Sequence, residues 1–302
     1  ISHEFRSPLT LITAPIENLM SELQKDNPVR SKLQLVFRNT QRLLHLVNQL
    51  MEIRKVETGK TELHASRDNI SAFARSIAQS FHSLAQQRQI KFNILSIPEN
   101  IEVYFDHEKV ENILYNLLSN AFKYTDEGGE IGLEISLVKG KYLPEGIPII
   151  DKHHYKGINV HSFLEITVSD TGPGIEPSYI RDIFRRFYRI ASPPNYSVQG
   201  SGIGLYLVKE MVKSHKGLMY VNSTPGKGSR FIVMLPADPS IYAAEEIDKE
   251  KSFSEQALQK THIQVLSETI EYNDSDNASD SAGADILNAN NKPVVLLVED
   301  DR

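Results

Sequence analysis

Three asparagines four residues apart, Asn112, Asn116 and Asn120, ride on the stretch ENILYNLLSNAFKYT between Glu111 and Thr125. The rest of that stretch has helical periodicity, with Ile113, Leu114, Leu117, Leu118 and Ala121 on one apolar face. Residues four apart on a helix are neighbours, so the pattern predicts a helix carrying a strip of amides, with Lys123 on the same side. Asparagine competes for the helix backbone and is a mediocre helix former. Three in step therefore suggest a ligand, although a solvated polar face stays open on this helix alone. Such a helix needs a hydrophobic partner layer, which the remainder of the chain has to supply.

Residues 1–57 read as a helical hairpin. Leu9, Ile12, Ile16, Leu19 and Leu23 alternate spacings of three and four, as do Leu33, Val36, Thr40, Leu43, Val47 and Leu50. That is the seam of a bundle, and Leu44, Leu46 and Met51 widen it. Two helices cannot enclose so much apolar surface, so two hairpins are expected to pair into a dimeric four-helix bundle. Asn27-Pro28 predicts an N-cap and a first-turn proline for the second helix. Pro8 lies within the first helical pattern, where a bend is expected. Just before it stands His3 in HEFRSP, with Glu4 beside it. A lone histidine near a helix start is commonly only a polar residue. A neutral imidazole beside a carboxylate is also a competent nucleophile with its own proton acceptor.

Further along, 58–69 reads as a polar connector with a short strand, and Ser71 to Gln87 as one helix. Strands are expected at Ile90–Ile97, Ile101–Phe105, Ile131–Val138, Phe163–Val168, Leu218–Asn222 and Ser229–Leu235. Asp106 is placed to cap the asparagine helix. A helix is expected after Ile175, with Ile180, Ile183, Phe184 and Phe187 on one side, and another running to His215. Residues 139–162 form a long insertion, read as a surface hairpin. Its His153, His154 and His161 lack a spacing that would fix a metal. Residues 190–199 (IASPPNYSVQ) read as a mobile lid. From 237 to 291 the acidic and Ser/Asn-rich composition predicts a largely disordered linker, with one helix near Phe253 to Ile270.

Composition narrows the class. The chain has 302 residues, 40% of them hydrophobic and 24% charged, enough for two modest domains and a tail. A formal net charge of -6 argues against nucleic-acid binding. The absence of cysteine excludes disulfides and thiolate metal sites. No apolar run approaches the ~18 residues of a membrane span. The chain opens in mid-pattern at Ile1, as an excised piece would.

The remaining motifs describe a nucleotide site without a Walker loop. A strand ending in Asp170-Thr171-Gly172-Pro173-Gly174 can set one carboxylate at the floor of a pocket, where it accepts from an exocyclic amine. Gly200, Gly202 and Gly204 at a helix start offer backbone N–H groups to phosphates. An Asn amide oxygen suits Mg²⁺, and Lys123 can reach a phosphate.

With these residues in order, the chain resembles the sensor histidine kinases of two-component systems, and their hybrid kind. HEFRSPLT resembles the phosphoacceptor box, NLLSNAFKYT the asparagine box, DTGPGI the first glycine box, IFRRFYR the phenylalanine box and GSGIGL the second glycine box. The resemblance covers residues 1–236. It implies an α+β fold: a dimerising antiparallel helical hairpin, then an α/β sandwich ATP-binding domain of the chaperone, gyrase and histidine-kinase type. It implies domains at 1–57 (hairpin), 70–236 (ATP-binding), 237–291 (linker) and 292–302, whose PVVLLVEDD resembles the first strand of a receiver with Glu299 and Asp300 as its acids.

The resemblance also implies roles. His3 accepts the phosphoryl group and Glu4 is its acid/base partner. Asn116 and Asn120 face the phosphates, with Asn120 on Mg²⁺. Lys123 contacts phosphate and Tyr124 packs near adenine. Asp170 binds the adenine amino group in a pocket shaped by Gly172 and Gly174. Arg189 stabilises the transferring phosphoryl, and Gly200, Gly202 and Gly204 serve the lid and the phosphates. Ser7 stands where Thr or Asn is usual, which leaves phosphatase activity open, and Asn112 stays open between ligand shell and surface. ATP and Mg²⁺ are the implied cofactors. The implied partners are a second copy and a receiver, in the same full-length chain or in a separate response regulator. The implied location is the cytoplasmic portion of a membrane-anchored bacterial sensor. Two other readings compete: an ATPase clamp of the same fold, which needs no histidine in HExxSP, and a non-catalytic scaffold, which would be expected to lose Asn120, Asp170 or the glycines.

Overall fold

The computed structural model describes residues 2–23, 27–58, 62–139, 149–150, 162–190 and 201–248. All but the first residue of the lid expected at 190–199, most of the insertion with its three histidines, the expected linker from 249 onward with its expected helix, and the expected receiver-like strand lie outside them.

The hairpin consists of α1 (Ser2–Glu22) and α2 (Pro28–Glu57). Asn27 caps α2 as its sequence predicts, its side chain accepting from Val29 N at 2.9 Å. Arg30 closes the turn by donating to Met20 O at 2.9 Å and Leu23 O at 2.7 Å. Those carbonyls belong to the last turn of α1, where no intrahelical donor remains. The first helix is unbroken through Pro8 and through a second proline, Pro15. The apolar seams are only half covered within one hairpin. Leu9, Ile16 and Thr40 are buried, whereas Ile12, Leu19, Val36, Leu43 and Leu50 are exposed.

The second unit is a sheet layered with helices. Its six strands run in the order β2 (Lys91–Ser96), β4 (Glu130–Lys139), β6 (Ser162–Asp170), β8 (Gly228–Pro236), β7 (Leu218–Thr224), β5 (Ile149–Ile150). Only β2 and β4 pair in parallel. Alternation along β8 sorts its side chains. Phe231, Val233 and Leu235 join the main core with the helices, and Ile232 and Met234 pack with Phe163, Leu218 and Tyr220 on the other face. The helical layer holds α3 (Ile70–Ser80), α4 (His82–Gln87), α5 (His107–Tyr124) and α6 (Gly204–Ser214). This is the α+β arrangement that the sequence implied.

Two local expectations need correction. The single helix from Ser71 to Gln87 is two, broken at Phe81, which is fully buried and stacks on Phe122 with ring centroids 5.4 Å apart. Anchoring that ring outranks helix continuity. The strand expected at 101–105 is present as β3 (Glu102–Phe105), and it pairs antiparallel with β1 (Ser66–Asn69), the short strand of the connector, apart from the main sheet. The helix expected after Ile175 is a set of turns with one short 3₁₀ segment, Asp182–Phe184.

Asp106 caps α5 by accepting from Lys109 N at 3.1 Å, and it also accepts from His64 N at 2.9 Å in the connector. Burial alone would raise its pKa. The Lys109 ammonium at 2.8 Å and the His64 N–H outweigh burial and hold it below the ordinary value. Behind it, fully buried His215 accepts from Asp106 N through Nε2 at 3.2 Å, so Nδ1 carries the proton and donates to Met211 O at 2.9 Å.

Beyond β8, where the composition predicts linker from 237 onward, the chain instead stays ordered through Asp248 and turns back as a strap. Tyr242 is buried against Leu63 and Ala65 of the connector. Ala65 N donates to Glu246 O at 2.8 Å and Asp248 N donates to Ala65 O at 2.9 Å, a parallel bridge between Ala65 and Ile247. Lys216 pins the strap by donating to Ile241 O at 3.0 Å and pairing with Glu246.

Candidate functional site

Asp170 ends β6, paired on one side with Ile131 and on the other with Ser229. Its Oδ1 accepts from Gly172 N at 2.9 Å. Burial pushes its pKa up, and the N–H groups of Gly172 and Ser229 oppose that without cancelling it. Gly172 permits a close approach: a Cβ there would stand 2.5 Å from Tyr124 O and 2.9 Å from Asp170 Oδ1. The end of the asparagine helix thus touches the aspartate turn. Gly174 packs on the backbone of Thr224 at the β7–β8 turn, which Gly226 N fastens to Pro173 O at 2.7 Å.

On α5, Asn112 and Asn116 each donate to the carbonyl four residues back, Glu108 O and Asn112 O, both at 2.8 Å. Both amide nitrogens thus serve their own helix. The oxygen of Asn116 instead points at the start of α6, where a Cβ on Gly204 would come within 2.5 Å of it. Asn120 is half-buried and makes no hydrogen bond among the described residues. Lys123 has no carboxylate partner among them. Burial and the charges of Arg189 and Arg42 push its pKa down to about 8. Its Nζ lies 5.2 Å from the centre of the Tyr124 ring, and that ring is 42% exposed.

Arg189 is the last residue of the phenylalanine box, whose geometry differs from expectation. Ile180, Ile183 and Phe184 are buried as predicted, but Phe187 is exposed and has φ 59°. That conformation lets Phe187 N donate to Gly202 O at 3.0 Å. Gly202 answers with φ 68°, and a Cβ there would meet the Phe187 backbone at 2.7 Å. The two residues close the base of the segment 191–200, in which Gly200 lies outside the described residues. His3, Glu4 and Ser7 belong to the opening turns of α1; their side chains also lie outside them.

Several residues that sequence reasoning passed over join the hairpin to this site. Ser201 Oγ donates to Gln49 Oε1 at 2.8 Å. Arg186 pairs with Glu57 and donates to Tyr206 OH at 2.8 Å. Ile53 belongs to the main core. The available signal was faint: Arg42, Gln49, Ile53 and Glu57 recur at seven- and four-residue steps on one side of α2, off the apolar seam.

Comparison with known proteins agrees with this geometry. Residues 1–59 match the His Kinase A (phospho-acceptor) domain, and residues 105–239 match the histidine kinase-, DNA gyrase B-, and HSP90-like ATPases. Histidine kinase P4 of Formosa agariphila is 32% identical over 305 residues, spanning 100% of this chain and 20% of that protein. Sensor histidine kinase TmoS of Ectopseudomonas mendocina is 36% identical, spanning 78% of this chain and 22% of the relative. Hybrid signal transduction histidine kinase D of Dictyostelium discoideum is 32% identical, spanning 88% and 16%. The chain therefore covers about a fifth of the length of these relatives.

Among solved structures, full-length ShkA in complex with AMPPNP has a TM-score of 0.57 at 24% identity, covering 79% of this chain and 46% of that one. Acinetobacter baumannii histidine kinase AdeS has a TM-score of 0.50 at 20% identity, covering 79% and 99%. Both share the fold. With a phosphoacceptor hairpin and a histidine-kinase ATPase unit in the same order as these relatives, the chain belongs to the sensor histidine kinases.

Proposed function

We propose that this chain is the kinase core of a two-component sensor, which phosphorylates its own His3 from ATP and passes the phosphoryl group to a receiver aspartate. The observation that carries the reading is the junction of four motifs around one helix. Asn116 meets Gly204, Tyr124 O meets Gly172, and Lys123 stands without an acid beside Arg189. A cationic, glycine-lined rim with a half-buried carboxylate at its floor fits a nucleotide, with the phosphates toward Lys123 and the base toward Asp170.

In this reading Asp170 accepts from the adenine amino group, and Gly172 and Gly174 leave room for the ring beside Tyr124. Gly200, Gly202 and Gly204 serve the lid. Asn116 and Asn120 face the phosphates, and the half-buried, unbonded amide of Asn120 has the chemistry to hold Mg²⁺. Mg²⁺ would supply neutralisation of phosphate charge. An imidazole nitrogen of His3 attacks the terminal phosphorus as the bond to the ADP oxygen breaks. Glu4 takes the imidazole proton, and Arg189 balances charge on the transferring group.

Residues 1–57 are the dimerising hairpin, 58–69 the connector, 70–236 the ATP-binding domain, 237–291 a linker and 292–302 the first strand of a receiver. The partners are a second copy and a receiver, in the same full-length chain or a separate response regulator. The location is the cytoplasmic portion of a membrane-anchored sensor. Among the described residues no helix is long and apolar enough to cross a membrane. Incubation with γ-labelled ATP should label the parent protein and leave His3→Ala unlabelled; equal labelling of both would defeat the proposal.

A further inference from the structure

Two contacts fix how the hairpin lies against the asparagine helix. Gln49 on α2 receives the Ser201 hydroxyl at 2.8 Å, and Gly204, three residues beyond Ser201, abuts the Asn116 amide on α5. From that junction Arg42 lies seven residues back along α2, and Lys123 lies seven residues forward along α5. Seven helical residues advance about 10.5 Å, so equal steps along the two helices bring the cations to the same level. Their mutual influence agrees, since the Lys123 ammonium is disfavoured first by burial and then by Arg189 and Arg42.

Arg42 is exposed, and among the described residues neither it nor Lys123 has a carboxylate partner. Basic groups from three separate segments therefore approach one place: α2, the end of α5, and the end of the phenylalanine box. Repulsion of this kind is relieved by a multiply charged anion.

We infer that Arg42, carried on the hairpin rather than on the ATP-binding unit, is a third basic residue of the phosphate site, serving the terminal phosphate of a nucleoside triphosphate. This rests on the nucleotide reading above. It adds that the hairpin itself discriminates triphosphate from diphosphate. The anchors at Gln49, Ile53 and Glu57 hold α2 in place, and the terminal phosphate supplies the last contact. A triphosphate then favours the docked hairpin, and loss of that phosphate releases one of its ties.

The test is calorimetric titration of the whole chain with Mg-ATP and with Mg-ADP, for the parent, Arg42→Gln and Arg42→Lys. Losing one charge-assisted contact should weaken ATP binding roughly tenfold in Arg42→Gln and leave ADP binding within about twofold. Arg42→Lys should fall between. Without nucleotide, melting of Arg42→Gln should equal or exceed the parent, because a repelling cation has gone. The pH at which ATP affinity declines should rise in Arg42→Gln, as Lys123 recovers toward its ordinary pKa. An unchanged ATP-to-ADP preference, or tighter ATP binding, would overturn the role of Arg42. Failure of the parent to bind either nucleotide would instead overturn the nucleotide reading.

Discussion

In the proposed site, the phosphate role of Lys123 conflicts with the stability of the chain. Its pKa is pushed to about 8 in the folded chain, against 10.5 for a free lysine. The folded state therefore holds the proton less tightly than the unfolded state does. The resulting destabilisation is complete below pH 8 and is relieved as pH rises from 8 toward 10.5. Lys123→Met should stabilise the chain at pH 7 by roughly 1–2 kcal/mol after allowance for solvent screening. The gain should shrink at pH 10, and ATP binding should be lost. Thermal melts at the two pH values check the first part, and a Lys123→Met chain less stable than the parent at pH 7 would refute it. Asp170→Asn should weaken ATP binding by roughly 1–3 kcal/mol. Equal affinity of the parent for GTP and ATP would refute the role given to that carboxylate. Asn120→Ala should abolish autophosphorylation while far-UV circular dichroism stays native.

At the scale of elements, what could be read from the sequence was whatever is decided locally. The caps at Asn27 and Asp106, the asparagine helix and the Asp170 turn depend on residues within a few positions of one another, and each stands where its pattern placed it. The failures lie where a distant partner decides. Ile180, Ile183 and Phe184 suit a helix, yet Phe187 gives up helical geometry to reach Gly202, fifteen residues on. The alternation of Glu102–Phe105 announces a strand but not that its partner is the connector. Arg42 escaped notice because only docking of the hairpin brings it to Lys123, eighty-one positions away. The Phe187–Gly202 clasp can be tested alone. Gly202→Ala puts a side chain at φ 68° against backbone that cannot yield. It should cost about 1–3 kcal/mol of stability and weaken ATP binding. A variant as stable as the parent, with the same ATP affinity, would show that the clasp does not matter.

Taken as a whole molecule, one hairpin leaves an apolar stripe in water, with Leu11 74% and Leu35 60% exposed beside Ile12, Leu19, Val36, Leu43 and Leu50. A second copy across a two-fold axis would cover it. Analytical ultracentrifugation at micromolar concentration should find a dimer, and Leu19→Glu with Leu43→Glu should give monomers. A parent that stays monomeric yet labels fully would refute the bundle. The strap from Asp238 to Asp248 carries a separate consequence. By bonding to Ala65 it makes the way out of the ATP-binding unit part of the hinge leading into it. Tension applied to the chain beyond Asp248 is thus borne first by the connector, and the hinge acts as a clutch that the tail can engage or slip. Tyr242→Ala should loosen that clutch: amide exchange at Ala65 and Ser66 should quicken while the core of α5 keeps its protection.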